Sequence, residues 1–579
     1  MMNIWKHLSR GRKRQFYLLS ILMILASITE VISVGAVLPF LAVLTSPDQI
    51  YHHELMQPLI QILNLADPSQ LILPLTIMFI IAALLAGIIR LILLYAMTRL
   101  SYATGADLSI SIYQRTLYQE YATHVRSNSS QVINGIITKT NAVISTIRSV
   151  LTLITSIILM ISVIGVLLTI DFKVAITASV GFVFLYWGVI FYTRKRIKVN
   201  SQTIADESTL MIKSLQEGLG GIRDVLINGS QQFYCNIYRN ADQPFRLASG
   251  NNTFIIGSPR FVVEAIGMSL IAALAYIMTK QDGGMTTAIP ILGVLAFGAQ
   301  RLLPALQQSY AAYTGIKGAK SSIEDVIELL EQPLPDYANQ PQSLPIRFEK
   351  EIVLKNLSFR YNKTEPWVVK NLNLTIPKGV RIGFMGETGV GKSTLVDIIM
   401  GLLSPSEGEI IIDNESINDE NRRTWQAHIA HVPQSIYLSD SSIEENIAFG
   451  IPIQKINNKK VESAAHQARL AELIEGWSEG YKAIVGEQGV RLSGGQRQRV
   501  GIARALYRKA NVLIFDEATS SLDSETEHAV MEAIEGLDKD LTVLIIAHRL
   551  TTLKSCDTIV RLDKDKTIHI GSYHEMVKS

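Results

Sequence analysis

Cysteine is almost missing: Cys235 and Cys556 are the only two in 579 residues. They lie far apart in segments expected to face the cytoplasm, which argues against a disulfide framework and a thiolate metal site and leaves packing as their role. A surplus of one charge is missing too. Lys and Arg total 54 against 51 Asp and Glu, and the resulting +3 carries no nucleic-acid signal. No cleavable leader is evident, because the first apolar run is far longer than a leader's apolar core and lacks a convincing cleavage site. That run is expected to remain as a membrane span. Long apolar runs are scarce after about residue 315, where the sequence alternates like a soluble α/β domain.

The 48% apolar content therefore concentrates in the first half. A span needs about 20 apolar residues. Six stretches qualify: roughly 16–44, 71–98, 150–170, 173–192, 255–280 and 286–313. Lys6, Arg10, Arg12, Lys13 and Arg14 precede the first, and Arg194, Lys195, Arg196 and Lys198 follow the fourth, which places those flanks and both termini in the cytoplasm. The connections 99–149 and 193–254 are long, mixed in charge and helical in period, so each can extend two helices inward and turn at the bottom. After the first span, Leu55, Met56, Leu59, Ile60, Ile62 and Leu63 recur at helical spacing. They predict a short amphipathic helix on the outer surface, with a loop packed on the helix ends as the alternative.

Ionisable residues inside the spans are Glu30, Arg90, Arg260 with Glu264, and Arg301. A charge in hydrocarbon costs roughly 2.5 kcal/mol or more, so each should face protein or a wet cavity. By depth the three arginines fall in the cytoplasmic half. Arginine's planar fork suits phosphate, so Arg90, Arg260, Arg301 and Glu30 are candidate substrate residues for an anionic headgroup. Internal neutralisation is the competing reading, through Glu30 with Arg90 and the i,i+4 pair Arg260 and Glu264.

The proline-punctuated stretch EQPLPDYANQPQSLP marks a boundary, dividing the chain into a membrane domain (1–320), a linker (321–345) and a second domain (346–579). There the strand-like VRIGFMG runs into Gly386, Glu387, Thr388, Gly389, Val390, Gly391, Lys392, Ser393 and Thr394, which have P-loop spacing. Glycines let the backbone wrap phosphates, Lys392 reaches the terminal ones, and Ser393 can ligate magnesium. The apolar run Val512–Glu517 reads as a buried parallel strand delivering Asp516 and Glu517 at its C-terminal end, where open α/β sheets bind ligands. Glu517, next to the metal-linked Asp516, is placed to polarise water for attack on a γ-phosphate. LSGGQ, Leu492–Gln496, can open a helix with bare N–H groups aimed at an anion.

In this order the P-loop, LSGGQ and VLIFDE resemble the ATP-binding cassette (ABC) exporter family. The resemblance implies an α-helical membrane domain of six transmembrane helices followed by an α/β P-loop ATPase domain, with ATP and Mg2+ as cofactors. It implies that Tyr361 stacks on adenine and that Gln434 reaches the metal and the attacking water. Asp523 would cross a dimer interface, His548 would contact the γ-phosphate, and Ala483–Gly489 would meet the inward helix tips of a partner chain, which the resemblance places near Ser127–Gly135 and Asn228–Tyr238. Because Ser493, Gly494, Gly495 and Gln496 of one copy complete the P-loop of another in this family, the resemblance implies a homodimer with two ATP sites.

Among exporters, the segments TEVISVGAVLPF and QEGLGGIRDVLINGS, the outer helix and the membrane arginines look similar to bacterial lipid-linked oligosaccharide flippases. That implies ATP-driven export or flipping of a pyrophosphate-linked amphiphile from the inner to the outer side of the cell (inner) membrane. A general lipid, drug or peptide exporter is the alternative. An ATP-gated channel would instead show uncoupled conductance, and a soluble ATPase acting on nucleic acid or ribosomes would lack the six spans.

Overall fold

A computed structural model describes residues 2–45, 47–170, 172–278, 284–340, 345–517, 527–528, 540–547 and 550–578. The chain divides into two compact units, one of residues 1–119 and 127–335, the other of residues 120–126 and 336–579.

The first unit is helical. Its long helices are α1 (Arg10–Gly35), continued by α2 (Val37–Thr45), then α3 (Ile72–Leu117), α4 (Thr140–Ile170), α5 (Phe172–Gly220), α6 (Gln231–Met278) and α7 (Gly284–Gly318). Taking α1 and α2 as one path, these carry the six expected spans. Three stretches among the described residues, Arg10–Leu44, Pro68–Leu117 and Ser129–Gly165, are long and apolar enough to cross a membrane by length and composition. Ser9 caps α1 by accepting from the Arg12 N–H at 3.2 Å. The break between α1 and α2 falls at Ala36, where Pro39 cannot donate to the Gly35 carbonyl four residues back. Helix α1 packs on α3, α4 on α7, and α5 on α6.

Many large apolar side chains, such as Leu18, Ile21, Ile28, Leu84 and Leu91, remain exposed on these helices. Such a face suits lipid, not water. Helix α8 (Lys320–Glu331) buries Val326 and Leu330 in the same cluster as Ile4, Leu19, Leu100 and Ile147, so the unit ends after that helix, at Pro335. The connection between α2 and α3 contains a helix, Gln57–Leu63, that buries Ile60 beside Val43, Leu71 and Leu75 and leaves Ile62 77% exposed. It therefore has both a packed side and a free apolar side.

The second unit contains two sheets. Strands β1 (Glu351–Phe359), β2 (Val369–Pro377), β4 (Glu407–Ile412) and β5 (Glu415–Ser416) form an antiparallel sheet in the order β2-β1-β4-β5. The other sheet joins β3 (Arg381–Met385), β6 (Ile429–Val432), β7 (Val512–Asp516), β8 (Thr542–Ile546), β9 (Thr558–Leu562) and β10 (Ile568–Gly571) in the order β10-β9-β3-β8-β7-β6. It is parallel apart from β10, which pairs antiparallel with β9. Strands β7 and β8 are buried almost throughout, which accounts for their unbroken apolar sequences.

The segment Glu120–Arg126 falls with this second unit, whereas Ser127 onward stays with the helical one. The family resemblance places the tip of that connection near Ser127–Gly135. The structure sets it earlier, because Ala122 packs against the cluster that holds Leu395 and Val396.

Candidate functional site

Parallel pairing fixes where the chemistry collects. Register couples Phe384 to Ile546, Asp516 to Ile546 and Phe515 to Val432, so β3, β8, β7 and β6 end along one edge of the sheet. The residues that follow those ends are Gly386–Ser393, Ala547, Glu517 and Pro433–Gln434.

Leaving β3, the chain turns sharply. Gly386 has φ +147 and a Cβ there would come within 2.4 Å of the Leu562 carbonyl oxygen; Gly389 and Gly391 have φ +84 and +111. Gly391 caps helix α9 (Lys392–Ile399) without a side chain, which leaves the first-turn N–H groups open to an anion. Within this loop the Lys392 Nζ donates to the carbonyls of Gly386 at 2.8 Å and Glu387 at 3.0 Å. Burial lowers the Lys392 pKa, and the carboxylates of Glu517 and Asp516 oppose that shift. The ammonium thus sits between the loop backbone and the two acids that close β7.

Glu517 adopts φ +50, an uncommon conformation for a residue with a side chain, while its N–H still donates to the Ile546 carbonyl at 2.9 Å. Its Oε2 accepts from Gln434 Nε2 at 2.7 Å. That bond leaves the Gln434 amide oxygen as its acceptor. Hydroxyl of Ser393, amide oxygen of Gln434 and carboxylate of Asp516 are hard oxygen donors, the set that suits Mg2+.

Tyr361 follows β1 and hydrogen-bonds through its hydroxyl to Thr394 Oγ1 at 3.1 Å, which places it beside the first turn of α9. Its ring meets Phe359 edge-on at 5.1 Å. The Arg126 guanidinium donates to the Tyr361 carbonyl.

The LSGGQ serine and glutamine have a structural task three residues apart. They form a capping box on α10 (Gly494–Arg508): Ser493 Oγ accepts from the Gln496 N–H at 3.2 Å, and the Ser493 N–H donates to Gln496 Oε1 at 2.8 Å. Gly494 and Gly495 supply the remaining first-turn N–H groups. Among the described residues, no hydrogen bond or ion pair joins Ser493–Gln496 to the P-loop. His548 and Asp523 lie outside the described residues.

Sequence reasoning missed Asp397, five residues beyond Lys392 on α9. Burial pushes its carboxyl up to about 6, and the Asp516 carboxylate adds to the rise. The signal was available in the sequence as an acid on the inward side of an apolar helix.

In the helical unit, Arg90 Nη1 lies 3.4 Å from both carboxylate oxygens of Glu30, which is 1% exposed. Arg260 Nε pairs with Glu264 at 3.3 Å. Arg260 and Glu264 help line a cavity of about 210 Å3 with Tyr186, Gln307 and Gln308. Arg301 lies on α7, and its side chain is outside the described set.

Residues 369–520 match the ABC transporter family, and residues 16–287 match the ABC transporter transmembrane region. An ATP-dependent lipid A-core flippase of Alkalilimnicola ehrlichii is 31% identical over 392 residues, which span 67% of this chain and 66% of that one. One from Chromohalobacter salexigens is 31% identical over 418 residues, spanning 71% and 69%. The matched stretch is thus about two thirds of these relatives' own length. A solved bacterial Atm1-family ABC exporter with ATP bound has a TM-score of 0.77 at 21% identity, over 98% of this chain and 96% of that one, a likeness of fold.

Proposed function

Because the chain belongs to the ABC transporter family and joins its transmembrane region to its ATPase in one polypeptide, we propose that it is an ATP-driven exporter of an amphiphile, working as a homodimer. The observation that carries this reading is the shared sheet edge. It gathers Lys392, Gln434, Asp516 and Glu517 in a unit fused to six long membrane-type helices.

Lys392 holds the terminal phosphates of ATP, the α9 N–H groups hold the others, and Tyr361 stacks on adenine. Ser393, Gln434 and Asp516 hold Mg2+, which when bound neutralises phosphate charge. The Glu517 carboxylate orients the attacking water and takes its proton, and Gln434 keeps that carboxylate aimed. His548 contacts the γ-phosphate and Asp523 crosses to the second copy. Ser493–Gln496 present the α10 N-terminus to the partner's nucleotide, so two copies make two sites.

The cargo is a lipid carrying an anionic headgroup, a lipid-linked pyrophosphate oligosaccharide in the finer form of this proposal, moved from the inner to the outer side of the cell (inner) membrane with both termini cytoplasmic. Lipid A-core flippase relatives support a lipid cargo. Arg90, Arg260, Arg301 and Glu30 are the proposed headgroup residues. The test is purified protein in liposomes, with ATP hydrolysis and flipping measured across pyrophosphate-linked glycolipids, ordinary phospholipids and hydrophobic drugs. Stimulation by drugs alone would remove the lipid proposal.

A further inference from the structure

The hairpin between β9 and β10 carries alternating charge, Asp563-Lys564-Asp565-Lys566, and the two signs are used differently. The acids turn back into the hairpin. Asp563 pairs with Arg561 at 3.4 Å and lies 3.2 Å from His569 Nε2, while Asp565 Oδ1 accepts from the Thr567 N–H at 3.1 Å and its hydroxyl at 2.7 Å. Backbone bonds from Lys566 N–H to the Asp563 carbonyl and from Asp563 N–H to the Thr567 carbonyl, at 3.0 and 3.1 Å, close the turn. The lysines go to the P-loop. Lys564 Nζ lies 2.7 Å from Glu387 Oε2, and Lys566 Nζ donates to the Val390 carbonyl at 3.4 Å.

We infer that this hairpin is a positioning element of the nucleotide site, in which Lys564 cancels a carboxylate that the P-loop itself carries. The inference rests on the ATP-binding reading above. Glu387 follows the turn glycine Gly386, and its own carbonyl holds Lys392. An unpaired carboxylate on the loop that wraps a triphosphate opposes binding by like-charge repulsion. With side chains 75% and 69% exposed, the Lys564–Glu387 pair adds little to folding, so its consequence falls on ligand charge.

The experiment titrates MgATP against a fluorescent ATP analogue on the full-length protein in nanodiscs, for the wild type, Lys564→Met, Glu387→Gln and the double variant. Lys564→Met should weaken ATP binding about threefold to tenfold, an effect of the size expected for one near-surface unit charge. The loss should shrink in high salt. The double variant carries neither charge, so it should bind ATP about as the wild type does, and Glu387→Gln alone should bind no more weakly than the wild type. Unchanged affinity in Lys564→Met, or a double variant as weak as Lys564→Met, would overturn the inference. A wild type that does not displace the analogue would overturn the ATP-site reading itself, which separates the two failures.

Discussion

Gln434 Nε2 donates to Glu517 Oε2 across 2.7 Å, joining the ends of two neighbouring parallel strands. If Glu517 is the base, Glu517→Gln should lower ATP turnover about a hundredfold to ten-thousandfold while ATP still binds and dimer accumulates. Steady-state hydrolysis and size-exclusion chromatography with ATP measure both. Gln434→Ala should lower kcat more than it weakens binding, because the carboxylate loses its aim and not its charge.

Lys392→Ala removes an ammonium that spans two loop carbonyls and faces the phosphate position. Charge-assisted hydrogen bonds contribute roughly 1.5–3 kcal/mol each, so nucleotide affinity should fall by about tenfold to a hundredfold or more. Equilibrium binding of ATP checks the change.

Mixed dimers test the composite site. Lys392→Ala and Gly495→Asp are each expected to abolish turnover as homodimers, the second because an anion in the first turn of α10 favours the helix but repels a phosphate. A dimer with one of each retains one intact pairing of P-loop and signature helix. It should hydrolyse ATP, whereas sites contained within single chains would leave it dead.

Arg90→Ala removes the guanidinium that pairs with the buried Glu30 carboxylate. Breaking a buried pair costs about 3–5 kcal/mol, and the half-exposed Arg90 places this case at or below the lower end. Adding Glu30→Gln should recover thermal stability. If Arg90 binds headgroups, the recovered protein will still lack substrate-stimulated ATPase activity; full stimulation would assign the pair to internal neutralisation.

Asp397 titrates at about 6 in the fold, against 3.8 for an aspartate in open solvent. With the folded value raised, its contribution to stability is full below 3.8 and is lost as pH rises through about 6. Asp397→Asn should therefore raise the melting temperature at pH 7, and the gain should fade on acidification through that window. A gain that is the same at pH 7 and pH 4 would exclude titration of Asp397 as its source.

How much was legible in advance differs by element. The P-loop, β7 acids and α10 serine were readable because each depends on residues adjacent in sequence, with local geometry dictated by glycine, strand burial and capping. Helix α8 was split between domain and linker because its inward residues Val326 and Leu330 find partners such as Ile147 and Leu100, far away in the chain. The tip at Glu120–Arg126 was misplaced by several residues for a similar reason: Ala122 gains a partner in the cluster of Leu395 and Val396 only after folding.

The sequence alone determined that the chain couples membrane helices to a P-loop ATPase, because apolar run length and phosphate-loop spacing are local properties. Tertiary structure decided what faces what. It turned Glu517 into the left-handed region beside Gln434, set Glu30 against Arg90, and brought the Lys564 hairpin onto Glu387. Those relationships join residues up to 177 positions apart, as Lys564 and Glu387 are, and sheet pairing and helix packing set such distances where sequence spacing cannot.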